Sequence, residues 1–351
     1  MKLSTVKTTL DYAKNFLATQ DFIEILQYFA FNENTVTAYN DVCACQLKLD
    51  TGLQCTVPGT LLLRLLNTLS GEELKIEKQP KNVQVISGRS KTKLPTLPLE
   101  DYIFKIPDTD EDAVIVPSTA IEGIRKCLTN VSTNPTQPQF SGINLIVENK
   151  KLTLYSSDGL TISRFEIDDT FNVAATDQIQ CILPAFFCER LVSLHAPLAG
   201  KEYNVPLQFS KNWAMADLND NKLFTRVINK TPPEYADMVM QSVPNLINLE
   251  LFDIPDELES IIDRATLFLN PQANVEQSSF TVSGNEMEVT TKSTLGHSHD
   301  RLQLPKDLGQ FSFTLNPNLL LRGFKVCKRM TLMPNVIVMD YNNYLHLIAT
   351  N

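Results

Sequence analysis

The stretch LQCTVPGTLLLRLL, residues 53–66, alternates apolar side chains at Leu53, Cys55 and Val57, turns at Pro58, and continues as a leucine-rich run bearing Arg64. Alternation places one face of a strand on a core. A proline fits the first turn of a helix, where its missing N–H costs nothing. The same pattern returns as IQCILPAFFCERLV at 179–192 and FSFTLNPNLLLRGF at 311–324, with Pro184 and Pro317 at the joint and Arg190 and Arg322 at the register of Arg64. The copies start at 53, 179 and 311, so the spacings are 126 and 132 residues, each the length of a small domain. The chain therefore reads as three copies of one strand–helix unit.

The flanks repeat as well. A helical stretch precedes each copy, at Leu3–Ala18, Ser118–Asn130 and Pro255–Phe268. Short strand-like runs follow each of these, such as NTVTAY, KLTLYSS and EMEVTT, and more follow each strand–helix unit. Polar, proline- and acid-rich joints lie at PDTDEDA (107–113) and TPPEYADMVMQSVPN (231–245). The expected organisation is three similar α+β domains at 1–109, 110–240 and 241–351, each with two helices packed on antiparallel sheets.

The 351 residues, 43% hydrophobic and 20% charged, have ample material for several cores. No run approaches the ~18 apolar residues of a membrane span. Lys7, Asp11 and Lys14 interrupt the N-terminal stretch, so it has no signal-peptide apolar core; the expectation is a cytoplasmic protein without membrane contact. Seven cysteines, an odd number mostly inside apolar runs, read as reduced thiols. A net charge of -9 argues against a protein basic all over, yet a local basic surface can sit on an acidic body.

Three segments carry a resemblance. NVQVISGRSKTKLPTLPLEDYI (82–103) resembles the end of the first domain of the bacterial β sliding clamp, the processivity subunit of the replicative polymerase. FSGINLIVENKKLTLYSSDGLTISRFEI (140–167) is similar to that family's strand–turn–strand with a T-D-G-H-R-L-type motif. KTPPEYADM (230–238) resembles its F-P-D-Y segment. The resemblance covers essentially the whole chain. It implies a DNA-clamp fold in which two chains close head to tail into a six-domain ring around duplex DNA, with the repeated helices lining the hole. The implied partners are double-stranded DNA without sequence preference, a DNA polymerase, a clamp loader and a second copy of the chain; no cofactor and no metal are implied.

A surface that slides on phosphates wants scattered cations without base readout. Candidate DNA-facing residues are Lys7, Lys14, Arg64, Arg125, Lys126, Arg190, Arg264, Arg322, Lys325, Lys328 and Arg329. The helix at 255–268 departs from this, since Asp253, Asp256, Glu257, Glu259 and Asp263 outweigh Arg264. For ring closure the resemblance points to edges near Lys91 and Leu94 and near Leu267 and Phe268. It also implies a hydrophobic pocket for partner peptides. The motif falls on Ser157-Asp158-Gly159-Leu160-Thr161-Ile162, which makes Ser157, Leu160, Ile162, Pro233, Met238, Leu347 and Ile348 the candidate walls. Leu160 stands where the family has histidine, and the chain ends LHLIATN rather than in a Met-Pro-rich tail. These departures predict a more apolar pocket and a partner motif unlike the usual bacterial one, as suits a virus-encoded or otherwise specialised clamp.

Other readings are weaker. His297 and His299 share a strand face, as do Cys43 and Cys45, but a metal site needs three or four convergent ligands. Twelve glycines build no phosphate loop or nucleophile elbow, and Asp108–Asp112 and Asp168-Asp169 read as solvated turns, so no catalysis is expected. A clamp-like protein-interaction scaffold that never encircles DNA is the main alternative. A sequence-specific DNA reader fits poorly, because short helices with one arginine each are poor groove-reading elements.

Overall fold

The structure, a computed structural model, describes residues 1–19, 23–108, 113–167, 179–196, 204–269 and 277–351. Asp168-Asp169 and most of the 107–113 joint lie outside the described residues. Backbone contacts divide the chain into two compact units, one built from 1–118 and 193–227 and the other from 119–167, 179–192 and 228–351.

In the first unit, α1 (Leu3–Ala13) buries Leu3, Val6, Leu10 and Ala13, a stripe at helical spacing, and α2 (Gly59–Thr68) buries Leu62 and Leu66. A six-stranded antiparallel sheet runs in the order Tyr28–Tyr39, Cys43–Pro58, Asn221–Arg226, Trp213–Leu218, Val205–Phe209, Ala113–Val116. Strand 221–226 therefore pairs with the start of strand 43–58, Lys222 opposite Gln46 and Thr225 opposite Cys43. A three-stranded sheet, Lys75–Lys78, Asn82–Ser87 and Ser90–Pro95, completes the unit.

The second unit holds α3 (Ser118–Cys127), most of α4 (Ala185–His195), α5 (Tyr235–Ser242), α6 (Asp256–Thr266) and α7 (Pro317–Phe324). Its eight-stranded sheet runs Ile179–Pro184, Gly142–Glu148, Lys151–Ser157, Thr161–Ile167, Tyr344–Ala349, Val336–Tyr341, Arg329–Met333, Phe252–Asp253. A four-stranded sheet runs Gly296–Gln303, Glu286–Ser293, Ser278–Ser283, Gln310–Leu315. The acidic helix α6 is amphipathic: Leu258, Ile261, Ile262 and Ala265 are buried, while Asp256, Glu257 and Glu259 lie in its exposed first turn, where acids suit the helix dipole.

The three strand–helix joints are all present. Pro317 opens α7 as expected, behind Asn316, whose side chain accepts from the Asn318 N–H at 3.0 Å. Pro58 and Pro184 instead close their strands one residue before the helix. Both stand where the strand has a sheet neighbour on one side only, a position that tolerates a missing N–H.

Candidate docking site and cationic surface

In the second unit a tight turn joins strands Lys151–Ser157 and Thr161–Ile167. Its geometry follows from Asp158. One carboxylate oxygen, Oδ1, accepts from the Leu160 N–H at 3.0 Å, the Thr161 N–H at 2.9 Å and the Thr161 hydroxyl at 2.9 Å. The other, Oδ2, accepts from Arg322 Nη1 on α7 at 2.7 Å. Gly159 takes φ +92°, a region open to glycine. The Ser157 hydroxyl donates to the Thr161 carbonyl at 2.6 Å and accepts from the Gly159 N–H at 3.0 Å. The Leu160 carbonyl accepts from the Ala349 N–H at 2.9 Å. Held on all these sides, the turn presents the Leu160 side chain 56% exposed.

Beside the turn, α5 lays Tyr235 and Val239 on the sheet, in one cluster with Tyr155, Ile162, Leu345 and Leu347. The Tyr155 and Tyr235 rings stack at 5.2 Å and 6°, a contact of about 0.5–1.5 kcal/mol beyond its area. The exposed apolar side chains near this helix are Met238, Met240 and Ile247, the last 96% exposed. Met240 escapes sequence reading because it belongs to a joint that reads only as polar and proline-rich, and Ile247 because it follows directly on that joint.

Of the predicted walls, Leu160 and Met238 are exposed and Pro233 is half-buried. Ile162 is mostly buried and Ser157 acts through its hydroxyl inside the turn. Leu347 and Ile348 are core residues at 2% and 0% exposure, because strand 344–349 is an inner strand between 161–167 and 336–341.

The cations divide sharply. Lys7 donates to the Leu69 carbonyl and Lys14 pairs with Asp11. Arg125 pairs with Glu122, Arg264 with Asp300, and Arg329 with both oxygens of Asp340. Arg190 lies over the Phe186 ring, 3.6 Å from Glu189. Lys126 is buried, its ammonium over the Tyr341 and Tyr344 rings at 5.2 and 5.7 Å, a placement that faces aromatic rings rather than solvent. Arg64, Lys325 and Lys328 are exposed and have no ion pair among the described residues.

At the sheet edges, Lys91 is exposed on strand Ser90–Pro95, whereas Leu94 is a core residue opposite Val83. Leu267 is 72% exposed. Phe268 lies over Gly296, where any Cβ would overlap its ring. Strands Ser90–Pro95 and Gly296–Gln303 are each paired on one side only.

His297 and His299 lie on strand Gly296–Gln303, His299 Nδ1 3.0 Å from the Thr290 hydroxyl. Among the described residues no three His, Cys, Asp or Glu side chains converge. Burial pushes the Cys43 thiol up to about 11 and raises Cys45 further, keeping both protonated. No described helix is long and apolar enough to cross a membrane.

No protein-family model matches the chain. It is 21% identical over 223 residues to the beta sliding clamp of Staphylococcus aureus and 20% identical to that of Staphylococcus epidermidis; each match covers 62% of this chain and 56% of the relative, little more than half its length. The likeness in structure extends over the whole chain. The Bacillus subtilis DNA polymerase sliding clamp superposes with a TM-score of 0.85 at 15% identity, over 100% of this chain and 98% of the other. The Bartonella birtlesii clamp bound to griselimycin gives 0.87 at 16%, with the same coverage. The Helicobacter pylori clamp bound to a DNA ligase peptide gives 0.81 at 14%, over 100% and 99%. The chain has the fold of the bacterial DNA polymerase sliding clamps: α+β, with paired helices on antiparallel sheets.

Proposed function

We propose that this chain is a divergent sliding clamp: two copies close head to tail around duplex DNA and tether a DNA polymerase, delivered by a clamp loader. The observation that carries the reading is a pairing rule. The first and second sequence repeats are joined where 222–225 pairs with 43–46, and the second and third where 344–348 pairs with 161–165. The last strand of one repeat thus joins the strand segment just ahead of the strand–helix unit in the repeat before it. Applied once more, the rule needs the last strand of the first repeat, Ser90–Pro95, and the strand just ahead of the strand–helix unit in the third repeat, Gly296–Gln303. Both are edge strands of their sheets, and unpaired edges invite pairing. Head-to-tail contacts between two copies satisfy both and close the assembly, with Lys91 and Leu267 at the seam. The division into domains 1–109, 110–240 and 241–351 follows the same repeat.

On this reading the chain performs no catalysis, and retention on DNA comes from encirclement. Exposed Arg64, Lys325 and Lys328 supply the sequence-independent phosphate attraction, and the Leu160–Met238 surface receives apolar anchors of short partner peptides. Light scattering should give a mass near twice 39.5 kDa. Loaded protein should then stay on nicked circular DNA and run off when the circle is cut. One observation favours a second reading, a clamp-shaped scaffold that does not encircle DNA: acids of this chain already pair with Lys14, Arg125, Arg264, Arg322 and Arg329. Equal retention on circular and linear DNA would select it.

A further inference from the structure

The first unit contains a second copy of the docking turn. Between strands Tyr28–Tyr39 and Cys43–Pro58, Asn40 Oδ1 accepts from the Val42 N–H at 3.2 Å and the Cys43 N–H at 2.8 Å, as Asp158 Oδ1 does from Leu160 and Thr161. The Val42 carbonyl accepts from the Arg226 N–H at 2.9 Å, as the Leu160 carbonyl does from Ala349. The next residue follows suit: the Val227 N–H donates to the Asn212 carbonyl at 3.0 Å, and the Thr350 N–H to the Asn335 carbonyl at 3.1 Å. Val42 is therefore the counterpart of Leu160, and Arg226 of Ala349. The side chains agree, Val42 being 48% exposed against 56% for Leu160. The linker supplies the same cover. Tyr102 packs on this sheet with Tyr39, Met215 and Phe224, as Tyr235 packs on the other, and the linker leaves Ile103 and Ile106 exposed.

The two sites differ in charge. Where the second unit has Ala349 and Val336, the first has Arg226 and Trp213. The Arg226 guanidinium lies 5.0 Å from the Trp213 ring centre, donates Nε to the Asp41 carbonyl at 2.9 Å, and remains half-exposed. Lys211 is exposed in the turn leading into Trp213, and among the described residues the acid paired with Arg226 is Asp41, 3.8 Å away. A stacked, oriented guanidinium next to exposed aliphatic side chains suits a carboxylate flanked by apolar groups.

The geometry points to a second peptide-docking site, built on Val42, Ile103, Trp213 and Arg226, that takes an extended partner segment with an Asp or Glu beside its apolar anchors. The inference rests on the docking reading of the Leu160 site, because it argues from likeness to that site. Trp213 is the only tryptophan in the chain, so its emission reports on the new site alone.

A phage-displayed library of random 12-residue peptides, panned on the Leu160→Asp protein and in parallel on the Val42→Asp protein, tests it. On Leu160→Asp, the enriched peptides should carry an acid beside apolar residues and change Trp213 emission saturably. They should bind at least about tenfold more weakly to Val42→Asp and to Arg226→Glu, with melting temperatures confirming that both variants fold. Peptides that bind these variants as tightly as wild type overturn the proposal. Enrichment on Val42→Asp alone, dependent on Leu160, overturns it and leaves the first site standing; enrichment on neither overturns both.

Discussion

Arg322 of α7 donates to Asp158 at 2.7 Å, and Asp158 in turn caps the Leu160 and Thr161 amides. The arginine that repeats at 64, 190 and 322 therefore has different work in each copy. Arg64 is exposed, Arg190 lies over an aromatic ring, and Arg322 braces the turn that presents Leu160.

Arg322→Ala should loosen that turn. With Arg322 about two-fifths exposed, solvent screens the pair, and the expected stability loss is about 1 kcal/mol. Hydrogen exchange should accelerate at the Leu160 and Thr161 amides more than elsewhere. Asp158→Asn, which keeps an oxygen for those amides but removes the charge, should reproduce much of the effect and add little to Arg322→Ala. Fully additive losses would show that the two side chains do not act together.

His346 predicts an acid-side instability. It is fully buried, with Nδ1 2.9 Å from Asn130 Nδ2, and Ser163 and Tyr344 complete the polar cluster around it. Burial, opposed by Asp158 and aided by Arg322, pushes its imidazole down from 6.5 to about 4. The ring stays neutral in the fold while the unfolded chain takes up a proton below 6.5. Its contribution is intact above that value and is lost as pH falls toward 4, by at most about 3 kcal/mol. Urea titrations of wild type and His346→Gln should converge or cross as pH drops through this window; a constant difference from pH 7 to 4.5 would rule the mechanism out.

Gly123→Ala tests the packing of α3 on its sheet. A Cβ at Gly123 would overlap the Phe165 ring, so the substitution should cost about 1–3 kcal/mol. Phe165→Leu in the same chain should recover part of that. Unchanged stability in Gly123→Ala would mean that the helix shifts freely.

Lys325 and Lys328 test the DNA reading. If both contact phosphates, the double alanine variant should reduce the slope of log K against log salt by about 0.9 for each contact removed. It should weaken all sequences alike and leave the mass in solution unchanged. An unaltered slope would move the cationic surface elsewhere.

Much of this protein is legible in its sequence because the deciding signals are local and repeated. Alternation into a proline joint and a leucine-rich helix depends on residues within fourteen positions of one another, and three copies of it give the α+β class and the repeat. The outward acids of α6 follow from its own periodicity. The turn at Leu160 is legible for the same reason, since Asp158 makes its caps within three residues.

Tertiary structure alone decided what those residues do. Charge is readable in a sequence, but whether a cation meets solvent depends on partners far along the chain: Asp158 is 164 residues from Arg322, and the tyrosines under the Lys126 ammonium lie in the final strands. The resemblance makes Leu347 and Ile348 pocket walls, yet strands on both sides of 344–349 leave them buried. The likeness between Val42 and Leu160 leaves little trace in the sequence, since Asn40-Asp41-Val42 and Asp158-Gly159-Leu160 share only the capping Asn or Asp at the first position, and the matching backbone bonds to Arg226 and Ala349 come from distant strands. A sequence specifies local conformation through neighbours, whereas exposure and pairing belong to contacts that exist only once the sheets have formed.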